Sequence, residues 1–440
     1  MASAGKQRAD SSKVLPIVEP ERVGLSSERL KRISTSMQKH IDQNEVPGTV
    51  TMIGRHGAIA HFEAQGYMDI ESKKPMQRDT IFRIASMTKP VTSLALMMLF
   101  EEGHFMLNDP ISKFIPEYKN IEVMASGVST RERQRAIGLG ARLTVPAERE
   151  ITFRDCLTHT AGFTSPGRTP IAFIGPYIEA MRGTGMIALI QPDLARIIGQ
   201  APVEPVAETV KKAARVPLIF QPGTEWNYGM GHDVAGVLVE IISGQSLDEF
   251  MRTRIFEPLG MEDTYFYVPQ DKLPRLASLY RSTESSGWKI QLAGRNEDSP
   301  QVKGPKIRFA GGGGLLSTTS DYARFAQLLL NGGVLDSIRL LSRTTVELMT
   351  TNHTADLPIS LMGPGYGFGL GLYVRTDPAE AMLGSPGTYG WGGAFATWYF
   401  ADPKEDMFGL FMTQVGAMGR GLYLVYGLEL ERLALQAIQD

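Results

Sequence analysis

The spacing of hydrophobic positions separates helices from strands in the first hundred residues. Between residues 26 and 43 apolar side chains recur every three or four positions, which predicts an amphipathic helix. Two short apolar runs follow at residues 49–53 and 58–62, and Gly57 between them predicts a β-hairpin. The next apolar segment, residues 82–100, is long enough for a buried helix that ends near Gly103.

The pattern changes in the middle of the chain and changes back towards its end. From about residue 104 to residue 300 helical periods alternate with proline- and glycine-rich connections, and few strand patterns occur. Strand patterns return at residues 366–374, 394–400 and 407–412, before a last helix at 421–438. Strands near both ends with helices between them predict an α/β fold in which one sheet is assembled from distant segments.

This pattern divides the 440 residues into a tail and two domains. We expect a disordered tail at residues 1–15, an α/β domain formed by residues 16–103 and 301–440, and an inserted, mainly helical domain at 104–300. A cleft between the two domains is the natural place for a site.

Composition narrows the classes of function. A formal net charge of −2 gives no electrostatic argument for nucleic acid or an anionic membrane as a partner. Cys156 is the one cysteine, which excludes an intrachain disulfide, and we expect it to be buried. The N-terminus lacks a secretory apolar run and no window is long enough for a membrane span, so we expect a cytoplasmic protein. Its oligomeric state stays open.

Ser86 begins the buried helix, and Lys89 follows it by three positions. Residues at this spacing lie on one face of a helix, and the helix N-terminus favours negative charge on a serine oxygen. A hydroxyl beside an amine is a candidate acyl-accepting nucleophile, and S-x-x-K is a signature of that chemistry.

The same spacing occurs at three other serines, so context has to decide. Ser3 lies in the predicted tail, Ser36 sits beside the apolar stripe of a surface helix, and Ser286 falls in a loop composition. Only Ser86 opens a helix apolar enough to be buried, with Pro90 tolerated in the first turn.

Tyr228 lies in a glycine-flanked turn before a predicted helix at residues 232–243. Its hydroxyl can project into a cleft, and a neighbouring lysine ammonium would favour the phenolate. Tyr228 is therefore a candidate base for the Ser86 proton. The alternative is that Tyr228 and Trp226 only pack in the core.

Trp391, Gly392, Gly393 and Ala394 lead into a late predicted strand. Backbone N–H groups at such an edge can donate to an oxyanion, and the N–H groups of Ala394 and Ser86 would form a two-donor hole. The two glycines could equally mark a bulge or a close turn.

These three motifs, in this order, resemble the family VIII carboxylesterases, which share the fold of the serine β-lactamases and penicillin-binding proteins, class C in particular. The resemblance covers roughly residues 22–415 and implies an antiparallel sheet flanked by helices. It also implies Ser86 as nucleophile, Lys89 and Tyr228 as the proton-transfer pair, and Trp391, Gly392 and Gly393 as the wall beside the oxyanion site. A small-molecule ester is the implied substrate, short acyl chains are preferred, and no metal or organic cofactor is needed.

The residues that differ from the β-lactamase motifs favour ester substrates. Met230 stands where the lactamases have the asparagine of Y-x-N, and Trp391 replaces the lysine of K-T-G. These changes imply poor penicillin hydrolysis and leave weak cephalosporin hydrolysis open. An acyltransferase with the same acyl-enzyme is the close alternative, followed by a β-lactamase or penicillin-binding peptidase. An α/β-hydrolase is excluded because G-x-S-x-G is missing, and we interpret His159 as structural.

Overall fold

The computed structural model describes residues 15–125, 144–164, 203–283, 286–287, 289–416 and 422–440. The α-helices are α1 (Ser27–Asp42), α2 (Thr88–Glu101), α3 (Phe153–Thr158), α4 (Val206–Ala213), α5 (Gly231–Ser243), α6 (Leu247–Met251), α7 (Glu257–Leu259), α8 (Pro300–Lys303), α9 (Thr319–Leu330), α10 (Arg343–Met349), α11 (Pro378–Ala381) and α12 (Leu422–Leu435). The strands are β1 (Gly48–Arg55), β2 (Ala58–Asp69), β3 (Lys74–Pro75), β4 (Phe82–Arg83), β5 (Glu122–Met124), β6 (Thr144–Pro146), β7 (Tyr280–Ser282), β8 (Ile290–Leu292), β9 (Leu316–Ser317), β10 (Val334–Leu335), β11 (Ile338–Arg339), β12 (Tyr366–Phe368), β13 (Tyr373–Arg375), β14 (Tyr389–Gly393), β15 (Thr397–Asp402), β16 (Met407–Met412) and β17 (Val415–Gly416).

The two ends of the chain meet in one eight-stranded sheet of order β12-β13-β14-β15-β16-β1-β2-β3. Its strands pair antiparallel, and β1 joins the N-terminal hairpin to β16 with Val50 opposite Met412. Strands β1, β15 and β16 are buried throughout, because helices cover both faces of the sheet. The predicted α/β fold, with a sheet from both ends of the chain, is confirmed.

Neighbouring residues of β15 show that the covering helices lie on opposite faces. Trp398 lies against Gly427 of α12, whereas the ring centroid of Tyr399 is 5.0 Å from that of Tyr322 in α9. Successive side chains of a strand point to opposite faces, so α12 and α9 enclose the sheet. Helix α1 packs against α12, and its N-cap Ser26 accepts a hydrogen bond from Arg29 N–H.

The inserted region contains more strand than the sequence predicted. Helices α3 to α6 are present, but β5 pairs with β6, and β7 pairs with β8. Each of these strands has three residues, too few for a period-2 pattern to be visible. Part of the stretch with helical periods, residues 186–199, lies outside the described residues, and so does most of the predicted tail at 1–15, although Leu15 is described and buried. The proposed domain boundaries stay predictions.

Two late strand predictions were wrong in their bounds. Residues 366–374 form two strands, β12 and β13, because the chain reverses between them with Gly371 at φ +88°. The tryptophan-glycine segment does not precede a strand but is itself the end of β14, and Ala394 begins the turn to β15. No helix among the described residues is long and apolar enough to cross a membrane.

Candidate active site

Ser86 lies in a short turn that is held from both sides. The turn is a 3-10 helix, Ala85–Met87, directly before α2. Strand β4 approaches it and pairs antiparallel with β9, while Ile84 N–H donates to the Leu315 carbonyl at 3.1 Å. Ala85 has a φ of +43°, a conformation that costs a non-glycine residue about 1–2 kcal/mol. This strain lies immediately before the serine, and no sequence signal reveals it.

The structure brings Ser86, Lys89 and Tyr228 together. Tyr228 OH donates to Ser86 Oγ at 2.6 Å, and Lys89 Nζ lies 3.1 Å from the same oxygen. The ammonium also lies 4.6 Å from the centroid of the Tyr228 ring, close enough for a cation–π contact. Lys89 is buried, whereas Ser86 is partly exposed, so a substrate can reach the hydroxyl while the amine is shielded.

The loop that carries Tyr228 is fixed by the segment after α3. Asn227 N–H donates to the His159 carbonyl at 2.9 Å, and the Asn227 side-chain amide donates to the Phe163 carbonyl at 2.7 Å. Gly229 N–H lies 3.4 Å from His159 Nδ1, and the rings of His159 and Tyr228 are 4.7 Å apart. The loop is therefore held at three consecutive residues, which limits the positions open to the Tyr228 hydroxyl.

His159 is buried, as its interpretation as a structural residue requires. Burial, followed by the charge of Lys89, holds the pKa of His159 well below its usual value. Burial also holds the pKa of His232 well below its usual value, with smaller effects from His159 and Lys89. Both rings are therefore neutral beside the ammonium. Cys156 is buried as predicted, and burial raises the pKa of its thiol well above the usual value.

Lys89 has a second hydrogen-bond partner that no sequence pattern reveals. Its amine donates to the Gly312 carbonyl at 2.5 Å. Gly312 belongs to the run of four glycines that follows Ala310. The run reaches the site because β9 follows it and pairs with β4.

Strand β14 forms a wall of the site. Its last residue, Gly393, packs directly against the Ile84 carbonyl, two residues before Ser86. The Trp391 ring lies 5.7 Å from the Tyr228 ring and 5.1 Å from that of Phe368. Ala394 is exposed in the turn that follows, and in the described part of the chain its N–H donates to no other backbone group.

The other S-x-x-K serines have different partners. Ser36 Oγ donates to Glu429 Oε1 at 2.5 Å, and Ser286 Oγ donates to the main-chain carbonyls of Thr283 and Lys289 at 2.8 and 2.7 Å. Ser3 lies outside the described residues. Of the described serines with this spacing, Ser86 is the one whose hydroxyl contacts the paired lysine amine.

The sheet order, the inserted helices and the S-x-x-K serine at the start of α2 define a protein of the serine β-lactamase-like class. The sequence matches the beta-lactamase family over residues 33–422, and the chain belongs to that family. The family and fold predicted from the motifs are thereby confirmed.

Similar proteins are found in bacteria. Protein Rv1367c of Mycobacterium tuberculosis is 36% identical over 389 residues, covering 86% of this chain and 88% of that protein. Esterase EstB of Burkholderia gladioli is 28% identical over 404 residues, covering 88% and 91%. Among solved structures, "EstCE1, a hydrolase with promiscuous acyltransferase activity" superposes with a TM-score of 0.73 at 25% identity, covering 92% of this chain and 98% of that one.

Proposed function

We propose that this protein hydrolyses carboxylic esters through an acyl-enzyme on Ser86. The observation that carries the proposal is that one oxygen, Ser86 Oγ, lies within hydrogen-bonding distance of both Lys89 Nζ and Tyr228 OH. A serine hydroxyl is a weak nucleophile until a neighbouring group takes its proton. Two groups able to move a proton touch it here.

The reaction follows from this contact. Ser86 Oγ attacks the ester carbonyl carbon, and its proton passes to the pair formed by Lys89 and Tyr228. The carbonyl oxygen becomes an oxyanion beside the N–H groups of Ser86 and Ala394. The bond to the alcohol then breaks, and the alcohol leaves with a proton from Tyr228. Water activated by the same pair attacks the acyl-enzyme, releases the carboxylic acid and restores the Ser86 hydroxyl. Both groups contact the same oxygen, so the role of base is assigned to the pair.

The walls of the site favour a neutral ester. Trp391 contacts Tyr228 where the β-lactamases place a lysine, so a substrate carboxylate would find no cation at this position. Met230, partly buried against the core, stands where they have an amide. Similarity to Esterase EstB supports the same class of substrate. We propose a preference for short acyl chains, with weak cephalosporin hydrolysis as a side activity.

Acyl transfer to an alcohol is the second candidate. The similarity to EstCE1, a hydrolase with promiscuous acyltransferase activity, favours it. The acyl-enzyme is common to both reactions, and they differ in whether water or an alcohol attacks it. Turnover of an ester in the presence of an alcohol, followed by product analysis, separates them: hydrolysis gives the acid and transfer gives the new ester.

Three variants test the assignment with p-nitrophenyl butyrate as substrate. Ser86→Ala removes the nucleophile and should lower kcat by about 10⁴-fold or more. Tyr228→Phe keeps the ring and removes the hydroxyl, and should lower kcat by about 10²–10⁴-fold. Ser286→Ala is the matched control. Ser286 has the same spacing to a lysine, but its hydroxyl bonds to main-chain groups of Thr283 and Lys289, so the variant should keep wild-type kcat.

Near-normal activity of Ser86→Ala would refute its role as nucleophile, and near-normal activity of Tyr228→Phe would remove the tyrosine from the mechanism.

A series of p-nitrophenyl esters from acetate to palmitate tests the preference for short acyl chains. Highest kcat/KM with the long chains would contradict it.

A further inference from the structure

The position of the Lys89 amine depends on a contact outside the three motifs. Its side chain is 4% exposed, and its recorded hydrogen bonds go to Ser86 Oγ at 3.1 Å and to the Gly312 carbonyl at 2.5 Å. A lysine has a long, flexible side chain, so a strong second acceptor determines where the amine rests. The placement of Gly312 is therefore part of the placement of Lys89.

Gly312 is held by a carboxylate from α5. Its N–H donates to Asp233 Oδ1 at 2.9 Å, and a Cβ atom on Gly312 would lie only 3.0 and 3.1 Å from the two carboxylate oxygens. Asp233 is 8% exposed and lies in the first turn of α5, where the helix dipole favours a negative charge. A buried, charge-assisted hydrogen bond of this kind fixes its donor strongly.

The residues on both sides of Gly312 are held by α2 instead. Thr92 Oγ1 donates to the Gly311 carbonyl at 2.8 Å, and Leu315 N–H donates to Thr88 Oγ1 at 3.1 Å. The turn around Gly312 is closed by Gly314 N–H, which donates to the Ala310 carbonyl at 2.8 Å, and Asp233 adds the side-chain contact to the Gly312 N–H. Asp233 accepts the Gly312 N–H, so it anchors the peptide between Gly311 and Gly312, which directly precedes the carbonyl that receives the amine.

We propose that Asp233 is a positioning residue for Lys89, acting through Gly312. The short segment from Tyr228 to Asp233 then places both members of the proton-transfer pair: the tyrosine directly, and the lysine through one glycine. The inference rests on the proposed function of Lys89, and it adds a requirement that the three motifs do not contain.

The test compares Asp233→Ala with Asp233→Asn. The alanine variant loses the acceptor, so the amine moves away from Ser86 Oγ; we expect kcat for p-nitrophenyl butyrate to fall by about 10–100-fold with little change in KM. The asparagine variant keeps an oxygen at the same place for the Gly312 N–H, and its kcat should return to within about threefold of wild type.

Glu240→Ala is the matched control. Glu240 lies on the same helix and accepts Leu247 N–H at 3.1 Å, which is the same kind of contact at a point away from Lys89. Its loss should lower the melting temperature and leave kcat unchanged. A general effect of lost stability would instead lower activity in both alanine variants.

Gly312→Ala tests the same contact from the other side, with Asp233 intact. The added methyl group presses against the carboxylate oxygens and should lower kcat to a similar extent. Because both changes break one contact, the double variant Asp233→Ala/Gly312→Ala should lose little more than either single variant. Gly312→Ala keeps the test decisive if Asp233→Ala does not fold.

Wild-type kcat in folded Asp233→Ala, an asparagine variant as impaired as the alanine variant, or fully additive losses in the double variant would each overturn the inference. Ser86→Ala separates this outcome from failure of the proposed function. If Ser86→Ala is inactive while Asp233→Ala is normal, only the role of Asp233 is wrong.

Discussion

A methyl group on Gly393 would occupy space that the turn carrying Ser86 already fills. An ideal Cβ atom there would overlap the Ile84 carbonyl oxygen and the Thr397 hydroxyl, and would lie 3.2 Å from the Ile84 carbonyl carbon. Carbon atoms pack best about 3.5–4.0 Å apart, so the Ile84 peptide must move by about half an ångström or more. Ile84 is two residues from Ser86, so we expect this movement to displace Ser86 Oγ from Lys89 and Tyr228.

The expected losses follow from that displacement. Overpacking of a close contact costs about 1–3 kcal/mol of unfolding free energy. Misplacing a reacting group by about 1 Å can cost about 10²-fold in rate, so Gly393→Ala should lower kcat/KM by about 10–100-fold, or about 1.4–2.7 kcal/mol of transition-state stabilisation. The assays are initial rates with p-nitrophenyl butyrate and thermal unfolding of the same preparation.

Gly294→Ala provides the control, because a Cβ atom on Gly294 meets nothing within 4 Å. It should keep wild-type activity and stability. Equal kcat/KM in the two variants would refute the reasoning, since the contact between β14 and the turn of Ser86 would then have no influence on the site.

Three further predictions concern stability. Tyr322 OH donates to the Met87 carbonyl at 2.8 Å beneath the turn of Ser86. Tyr322→Phe removes this buried hydrogen bond and should cost about 0.5–1.5 kcal/mol in urea unfolding; no change would contradict it. Burial lowers the pKa of His61 to about 4, so the folded state binds fewer protons than the unfolded state and loses stability as the pH falls from about 6.5 to 4. His61→Gln should recover about 2–3 kcal/mol of that loss in unfolding free energy. An unchanged acid sensitivity of the variant would count against this prediction. Burial raises the pKa of Asp321 to about 6, so its contribution to stability has the opposite sign, and stability is lost as the pH rises through 6. Between pH 4 and 7, Asp321→Asn should lose about 2 kcal/mol less unfolding free energy than the wild type. Parallel pH profiles of the two proteins would refute the raised pKa.

Periodicity and turn residues predicted the sheet formed by both chain ends, because long buried strands and helices give strong patterns. The strand at residues 407–412 was predicted with its bounds, and the first hairpin was predicted with its turn at Gly57, although its second strand runs on to Asp69. Residues 366–374 were not, because aromatic and aliphatic residues alternate with glycines, and Gly371 at φ +88° turns the chain where the pattern continues as one strand. Strands of three residues in the inserted region are too short to leave any period.

The site was predictable where chemistry follows from local spacing and unpredictable where it depends on distant contacts. Ser86 and Lys89 are one helical turn apart, and their proximity follows from helix geometry. The contact of Gly312 with Asp233 joins residues 79 positions apart, and no local pattern encodes it. The positive φ of Ala85 is likewise imposed by the packing around it, since alanine itself disfavours that conformation.

Trapping the acyl-enzyme is the most direct test of the central claim. The protein is mixed with a p-nitrophenyl ester, quenched in acid within the first turnovers, digested and analysed by mass spectrometry. We predict an added acyl mass on the peptide that contains Ser86, and its loss in Ser86→Ala. An acyl group on another residue, or ester turnover by Ser86→Ala without any acyl-enzyme, would contradict the account.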